Sequence, residues 1–330
     1  VAELVADYGL FLLELVTVLG LVLVVILLVI ANARRGSDRE GLTIKHLNEQ
    51  MEQTAKQLKR VLLPKDEFKR VAKAAAKTSK ERKRAKPKDL RRKRVFVIDF
   101  KGDLRASATA SLREEVSAIL SVAEAGDEVL LRLENPGGQV HEHGFAASQL
   151  VRLKARGIRL SIAVDKVAAS GGYLMACVAD RLMAAPFAVV GSIGVIAQLP
   201  NFHRLLEEKG VDYEMITAGR FKRTLTLFGE NTDEGREKLK QELDDVHALF
   251  AAQVAAARPQ VDLERVTTGE HWYGTQALEL KLVDELRTSD DYLIELAAER
   301  DLYHVAYKRR RPFSERLLGG VDTLLGRSAL

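Results

Sequence analysis

The segment Arg159-Leu-Ser-Ile-Ala-Val164-Asp-Lys-Val-Ala-Ala-Ser170-Gly-Gly-Tyr173 reads as a short apolar strand that runs into a tight turn and then into the helical run Leu174 to Ala179. Leu160, Ile162 and Val164 alternate as a strand does, and the two glycines end the pattern. Ser170 stands at the turn itself. A serine between a strand and a helix has its hydroxyl exposed, small neighbours let a substrate backbone approach, and the helix N-terminus supplies positive field. That setting suits a nucleophile. The same three residues would also serve as an N-cap or turn, so Ser-Gly-Gly alone is a weak motif.

Working upstream, Glu134-Asn-Pro-Gly-Gly138 closes a second expected strand, Glu128 to Leu133. Its glycines free backbone N–H groups, and the N–H of Gly138 together with that of Gly171 would form an oxyanion hole, whose donors contribute several kcal/mol to acyl transfer. A type II turn explains the same residues. Further upstream, Val95-Phe-Val-Ile-Asp-Phe100 is a third strand, followed by a helix over Leu112 to Leu120 with Ser111 as its N-cap. A helix is expected over Gly144 to Ala155, and a long amphipathic one over Glu234 to Ala257. Strands alternating with helices predict an α/β core with largely parallel pairing. No internal repeat is visible, so one catalytic unit is expected. Pro186 to Leu199 is apolar but too short to span a membrane, and is assigned to the core.

The chain has 330 residues and a net charge of +5, but the positive excess is local, crowding Lys56 to Arg94 and Lys308 to Arg311. Basic runs hold nucleic acid or anionic lipid. Beside an apolar segment the lipid reading is preferred, and no nucleic-acid partner is expected. The single cysteine, Cys177, excludes an intrachain disulfide and a Cys-built metal cluster. No metal or cofactor is expected.

Leu10 to Ala31 is apolar over about the length of a bilayer core, interrupted by Glu14. Ala31-Asn-Ala33 resembles a signal-peptide cleavage site, yet the residues before the run carry Glu3 and Asp7 and no positive charge. A retained anchor is therefore expected. Arg34, Arg35 and Arg39 follow it, which under the positive-inside rule places the remainder in the cytoplasm. Leu42 to Leu62 has helical spacing, Pro64 ends or kinks that helix, and Pro87 lies near the start of the core. The expected organisation is an anchor at 1–33, a basic amphipathic stalk at 34–94, a catalytic domain at 95–300 and a basic tail at 301–330.

A nucleophilic serine needs a base. The histidines are His46, His141, His143, His203, His247, His271 and His304, of which His141 and His143 lie nearest a glycine loop. A lysine is the other option. It acts only when neutral, which requires burial or nearby cations to bring it down by roughly 3 pH units from about 10.4, some 4 kcal/mol. In Ala218-Gly-Arg-Phe-Lys222-Arg-Thr224 only Lys222 can deprotonate, with arginines on either side. A solvated basic edge is the plain reading of that cluster. Lys166, four residues before Ser170, is expected to point away from the hydroxyl.

Taken together, Glu134 to Gly138, Asp165 to Tyr173, Val190-Gly-Ser192-Ile-Gly-Val195, Thr217-Ala-Gly-Arg-Phe-Lys222-Arg-Thr-Leu225 and Gly269-Glu-His-Trp-Tyr-Gly274 resemble the signal peptide peptidase A, or protease IV, family, and within it the SohB branch of bacterial inner-membrane peptidases. The likeness runs from about Val95 to Leu286. It implies a ClpP/crotonase-like α/β core and a Ser/Lys dyad. Ser170 matches the nucleophile, Lys222 the base, Ser192 the serine that orients the lysine, and Gly138 and Gly171 the oxyanion donors. His141 and His143 then become loop residues. The resemblance also implies a ring of subunits in which Ser170 of one copy meets Lys222 of the next.

The expected function is a membrane-anchored serine endopeptidase of the bacterial inner membrane, cleaving apolar segments such as signal peptides or membrane-protein fragments. Two rivals stand beside it: a crotonase-like acyl-CoA enzyme, which would not need Ser170, and a non-catalytic membrane scaffold. Topology is contested, since the charge rule places the domain in the cytoplasm whereas the family is associated with the outer face of the inner membrane.

Overall fold

The computed structural model describes residues 2–35, 40–84 and 92–309. Arg39, Pro87 and the basic residues from 310 onward lie outside the described residues. Ile44–Ala306 forms one compact unit, and the described residues before and after it form a second.

In the second unit, helix α1 spans Ala2–Arg35. Its side chains from Phe11 to Ile26 are exposed and, apart from Glu14, Thr17 and Gly20, apolar. A membrane span needs about 20 such residues. The expected anchor is met as a helix; among the described residues no helix is long and apolar enough to cross a membrane.

The remaining elements run in the order β1 (Gly41–His46), α2 (Leu47–Leu62), α3 (Lys65–Arg84), β2 (Arg94–Lys101), α4 (Thr109–Val122), β3 (Glu128–Glu134), α5 (Val140–Ala155), β4 (Arg159–Val164), β5 (Val167–Ala169) and α6 (Gly171–Ala176). Then come β6 (Arg181–Ala184), β7 (Val189–Gly191), α7 (His203–Glu208), α8 (Asp233–Ala257), α9 (Leu263–Val266), β8 (His271–Tyr273), α10 (Gly274–Glu279), β9 (Glu285–Leu286), α11 (Ser289–Glu299) and β10 (Asp301–Lys308). The main sheet has the order β1-β10-β2-β3-β4-β6-β9, and a small sheet has the order β5-β7-β8. From β10 to β9 every pair is parallel; β7 and β8 are antiparallel.

The apolar run of β2 reflects burial on both faces, as parallel sheets require. Phe96, Ile98 and Phe100 join the core with α4, α5 and α6, whereas Val95 and Val97 face a second core with Tyr292, Leu293 and Leu296 of α11. Leu47 and Met51 of α2 pack against that second core. Asn48 fastens the start of α2: its Nδ2 donates to the carbonyls of Ala297 and Arg300, and its Oδ1 accepts from the Leu302 N–H at 2.7 Å.

Several sequence expectations need correcting. Gly41–His46, expected within the stalk, forms β1, and the expected tail from residue 301 begins as β10, second in the main sheet. Strands at this end of the sheet are paired by segments distant in the chain, which local composition does not reveal. Ser111 lies inside α4, whose N-cap is Ala108. Helix α5 begins at Val140 instead of Gly144, so His141 and His143 are helical and not in a loop.

Candidate active site

In open parallel sheets, ligands bind beyond the carboxyl ends of the strands. Here the ends of β3 and β4 lead to the two glycine motifs. Asn135, directly after β3, donates its N–H to the Val167 carbonyl at 2.8 Å and accepts from the Ala169 N–H at 3.0 Å, which stitches the Asn-Pro-Gly-Gly loop alongside β5. On the other side β5 pairs with β7.

Ser170 follows β5 and caps α6 with φ 51° and ψ −121°. For a residue with a side chain this backbone costs about 1–3 kcal/mol. The surroundings hold it there: its N–H donates to the Gly191 carbonyl at 2.8 Å, and its own carbonyl accepts from Leu174 at 3.0 Å. Gly137, at φ 96°, packs against it so closely that a Cβ there would stand 2.8 Å from the Ser170 Cβ and 2.9 Å from the Gly171 nitrogen. The two motifs are thus brought together. Neither the Gly138 N–H nor the Gly171 N–H has a hydrogen-bond acceptor among the described residues.

Ser192 is the other strained serine, at φ 51°. Its N–H donates to the Glu270 carbonyl at 2.7 Å and its Oγ to the Gly269 carbonyl at 3.3 Å. The Gly-Glu-His-Trp-Tyr-Gly motif therefore carries the support for Ser192, with Trp272 packed on Gly191. Ser170, Ser192 and Gly138 open together into a cleft of about 1240 Å³, whose walls include Leu104, Val140, Ile196, Leu243 and Val246.

Lys222 is not among the residues that line this cleft. It is exposed, on the loop between α7 and α8. That loop is clipped to α8: Arg220 pairs with Glu234, and Phe221 lies under both the Arg220 guanidinium at 5.1 Å and the Lys238 ammonium at 5.7 Å. Lys166 is engaged elsewhere, with Glu134 at 3.1 Å, as its expected direction implied. Cys177 offers no rival nucleophile, because burial pushes its thiol up to about 12.

The histidines divide. His141 and His247 line the cleft. His46 stacks on Tyr303, and His304 bonds Asp99 at 2.9 Å. His143 is wholly buried beneath the Asn-Pro-Gly-Gly loop, with Nε2 lying 3.2 Å from Asn135 Oδ1. Sequence reading passed over Asn135 and His143 as organising residues. Asn135 had a signal, since an asparagine before Pro-Gly-Gly commonly bonds its own loop; here the Gly137 N–H donates to its Oδ1 at 2.9 Å.

A strained serine over a largely apolar cleft, with unbonded N–H groups beside it in an α/β frame, marks the class as a serine hydrolase. Comparison with known proteins narrows this. The model of the peptidase family S49 N-terminal region matches residues 3–150, and that of peptidase family S49 matches residues 152–303. The probable protease SohB of Haemophilus influenzae is 49% identical over 94% of this chain and 90% of its own length. A probable protease SohB from a Buchnera aphidicola subspecies is 44% identical over 88% of this chain and 99% of its own. A solved structure of a membrane-bound stomatin-specific protease with a substrate peptide has a TM-score of 0.45 at 13% identity, covering 70% of this chain and 99% of that one. The chain belongs to peptidase family S49 and is a serine peptidase.

Proposed function

We propose that this chain is a membrane-anchored serine endopeptidase that hydrolyses peptide bonds in apolar segments, such as signal peptides or membrane-protein fragments, with Ser170 as nucleophile and Lys222 as base. The observation that carries this reading is the placement of strained Ser170 at the mouth of a mostly apolar cleft with the Gly138 and Gly171 N–H groups unbonded beside it.

Neutral Lys222 takes the proton of Ser170 while Oγ attacks the scissile carbonyl carbon. The carbonyl oxygen gains the electron pair and is held by the two glycine N–H groups. Collapse breaks the C–N bond, and Lys222 returns its proton to the leaving amine. Water then attacks the acyl-enzyme, giving a proton to Lys222, and Ser170 leaves with that proton to restore the resting state. Ser192 orients the lysine.

The exposed position of Lys222 favours a dyad completed between copies. The stretch from α7 to the loop carrying it presents Phe202, Leu205, Ile216 and Phe221 to solvent, as a surface that packs against a second copy would. The proposed assembly is the homo-oligomeric ring of ClpP/crotonase-like cores that the family resemblance implies.

Two features support a bacterial inner-membrane location. Helix α1 exposes apolar side chains from Phe11 to Ile26, and α2 exposes Leu58, Val61 and Leu62 beside Lys56, Lys59 and Arg60, which suits anionic lipid. The test of the whole reading is covalent labelling of the detergent-purified protein with an acyl-type serine reagent. Label on Ser170, lost in Ser170→Ala and in Lys222→Ala by intact mass, is the expected result; an unlabelled wild-type oligomer overturns it.

A further inference from the structure

His143 is a fully buried histidine that no step of this mechanism uses. It is absent from the cleft lining, and both of its ring nitrogens are engaged away from Ser170, with Gln139 and Asn135. Its contacts are specific nonetheless. Nδ1 lies 2.9 Å from the Gln139 carbonyl oxygen, and Nε2 lies 3.2 Å from Asn135 Oδ1. The Asn135 amide is oriented independently: Oδ1 accepts from the Gly137 N–H at 2.9 Å, and Nδ2 faces the Met175 sulfur at 3.3 Å. Both ring nitrogens therefore meet acceptors. A neutral imidazole donates to one of them and a protonated one to both.

The same ring closes on Gly171. A Cβ at that position would stand 2.5 Å from His143 Cγ and 2.7 Å from Cδ2, so only glycine fits over the imidazole. One side chain thus touches both arms of the oxyanion site: by hydrogen bonds it grips the loop from Asn135 to Gln139 that carries Gly138, and by van der Waals contact it seats Gly171.

We infer that His143 is a positioning residue that sets the separation of the Gly138 and Gly171 N–H groups, so that both converge on the developing oxyanion of the substrate. The inference rests on the Ser170 reading above. Oxyanion donors act only at about 2.7–3.1 Å from the oxygen, so a small shift of either arm lowers transition-state stabilisation while leaving ground-state binding nearly unchanged. A core residue that merely filled space would have no such selectivity.

His143→Phe separates the two roles, because it keeps a ring against Gly171 but donates no hydrogen bond. The full chain is assayed on an apolar peptide, with rates taken per active site titrated by the acyl reagent. The kcat of His143→Phe is expected to fall at least about tenfold with KM within about twofold. Affinity for a peptide aldehyde, whose adduct with Ser170 places an oxygen in the site, is expected to fall by a similar factor. His143→Gln, which retains a donor, is expected to recover part of both and provides the test if the Phe variant does not fold. Wild-type kcat per site in either folded variant overturns the inference, as does a loss confined to KM or to the folded fraction. A wild-type protein unreactive at Ser170 overturns the peptidase mechanism and this inference together, whereas the variant results touch the inference alone.

Discussion

Around Ser170 the chain is packed closed, with Asn135, His143, Ala168 and Tyr173 all at 0% exposure, whereas around Lys222 it is turned outward, with Phe221 at 41% and Ile216 at 96%. The first region is two short loops pinned by strand-like hydrogen bonds and by glycines that fit only one arrangement. The second is a long excursion between β7 and α8 that holds one short helix and exposes apolar side chains, clipped to α8 through Arg220 and Phe221. Under the proposed mechanism, one copy of the chain would finish the nucleophile's half of the site and present the base's half to a neighbour. The strained backbone at Ser170 is held by close packing, whereas the Lys222 segment leaves apolar side chains open to solvent.

The largest effect that would sharpen this contrast is loss of the nucleophile. Ser170→Ala should reduce peptide hydrolysis to background, a fall on the order of 10⁴ or more, with folding unchanged by circular dichroism. Mixing tests the division between copies directly. Ser170→Ala and Lys222→Ala, each inactive, should regain activity after co-refolding or co-expression; persistent inactivity of a verified mixed oligomer would break the comparison by placing the dyad within one chain.

A smaller effect is expected from Gly137→Ala. Its Cβ would meet the Ala169 carbonyl oxygen at 2.7 Å in a backbone with φ 96°, so stability should fall by about 1–3 kcal/mol in denaturant titrations, with reduced labelling of Ser170. On the open side, Ile216→Asp should leave monomer stability within about 0.5 kcal/mol while loosening the oligomer in sedimentation velocity. Unchanged assembly would remove Ile216 from the proposed interface.

The smallest expected effect lies away from both regions. Burial works to raise the Asp99 carboxyl, but hydrogen bonds from His304 and Arg132 outweigh it and hold the group down at about 2. A carboxylate depressed by folding stabilises the native state above its unfolded value near 3.9, and that contribution is lost as pH falls toward 2. Asp99→Asn should therefore cost stability at neutral pH and show a flatter decline below pH 4 than wild type, by urea unfolding across that range.

The core strands were legible because their pattern is local. Burial on both faces demands a continuous apolar run, and Val95 to Phe100 and Arg159 to Val164 carry one; β4 has the expected bounds. Ser170 was legible because the strand before it and the glycines after it advertise a turn. The start of α5 differs because His141 to His143 are polar and look like loop, whereas His143 is buried against Gly171 and donates its backbone N–H to the Gln139 carbonyl. β1 and β10 were missed because their partners are distant in the chain.

By itself, then, the amino-acid order determined an α/β core, its glycine turns and the serine set at one of them, since each depends on periodicity and backbone freedom within a few residues. That His143 lies against Gly171, that Ser192 is held by Gly269 and Glu270, and that Lys222 is not among the residues lining the Ser170 cleft were decided by tertiary structure, because each depends on segments far apart in sequence meeting in space.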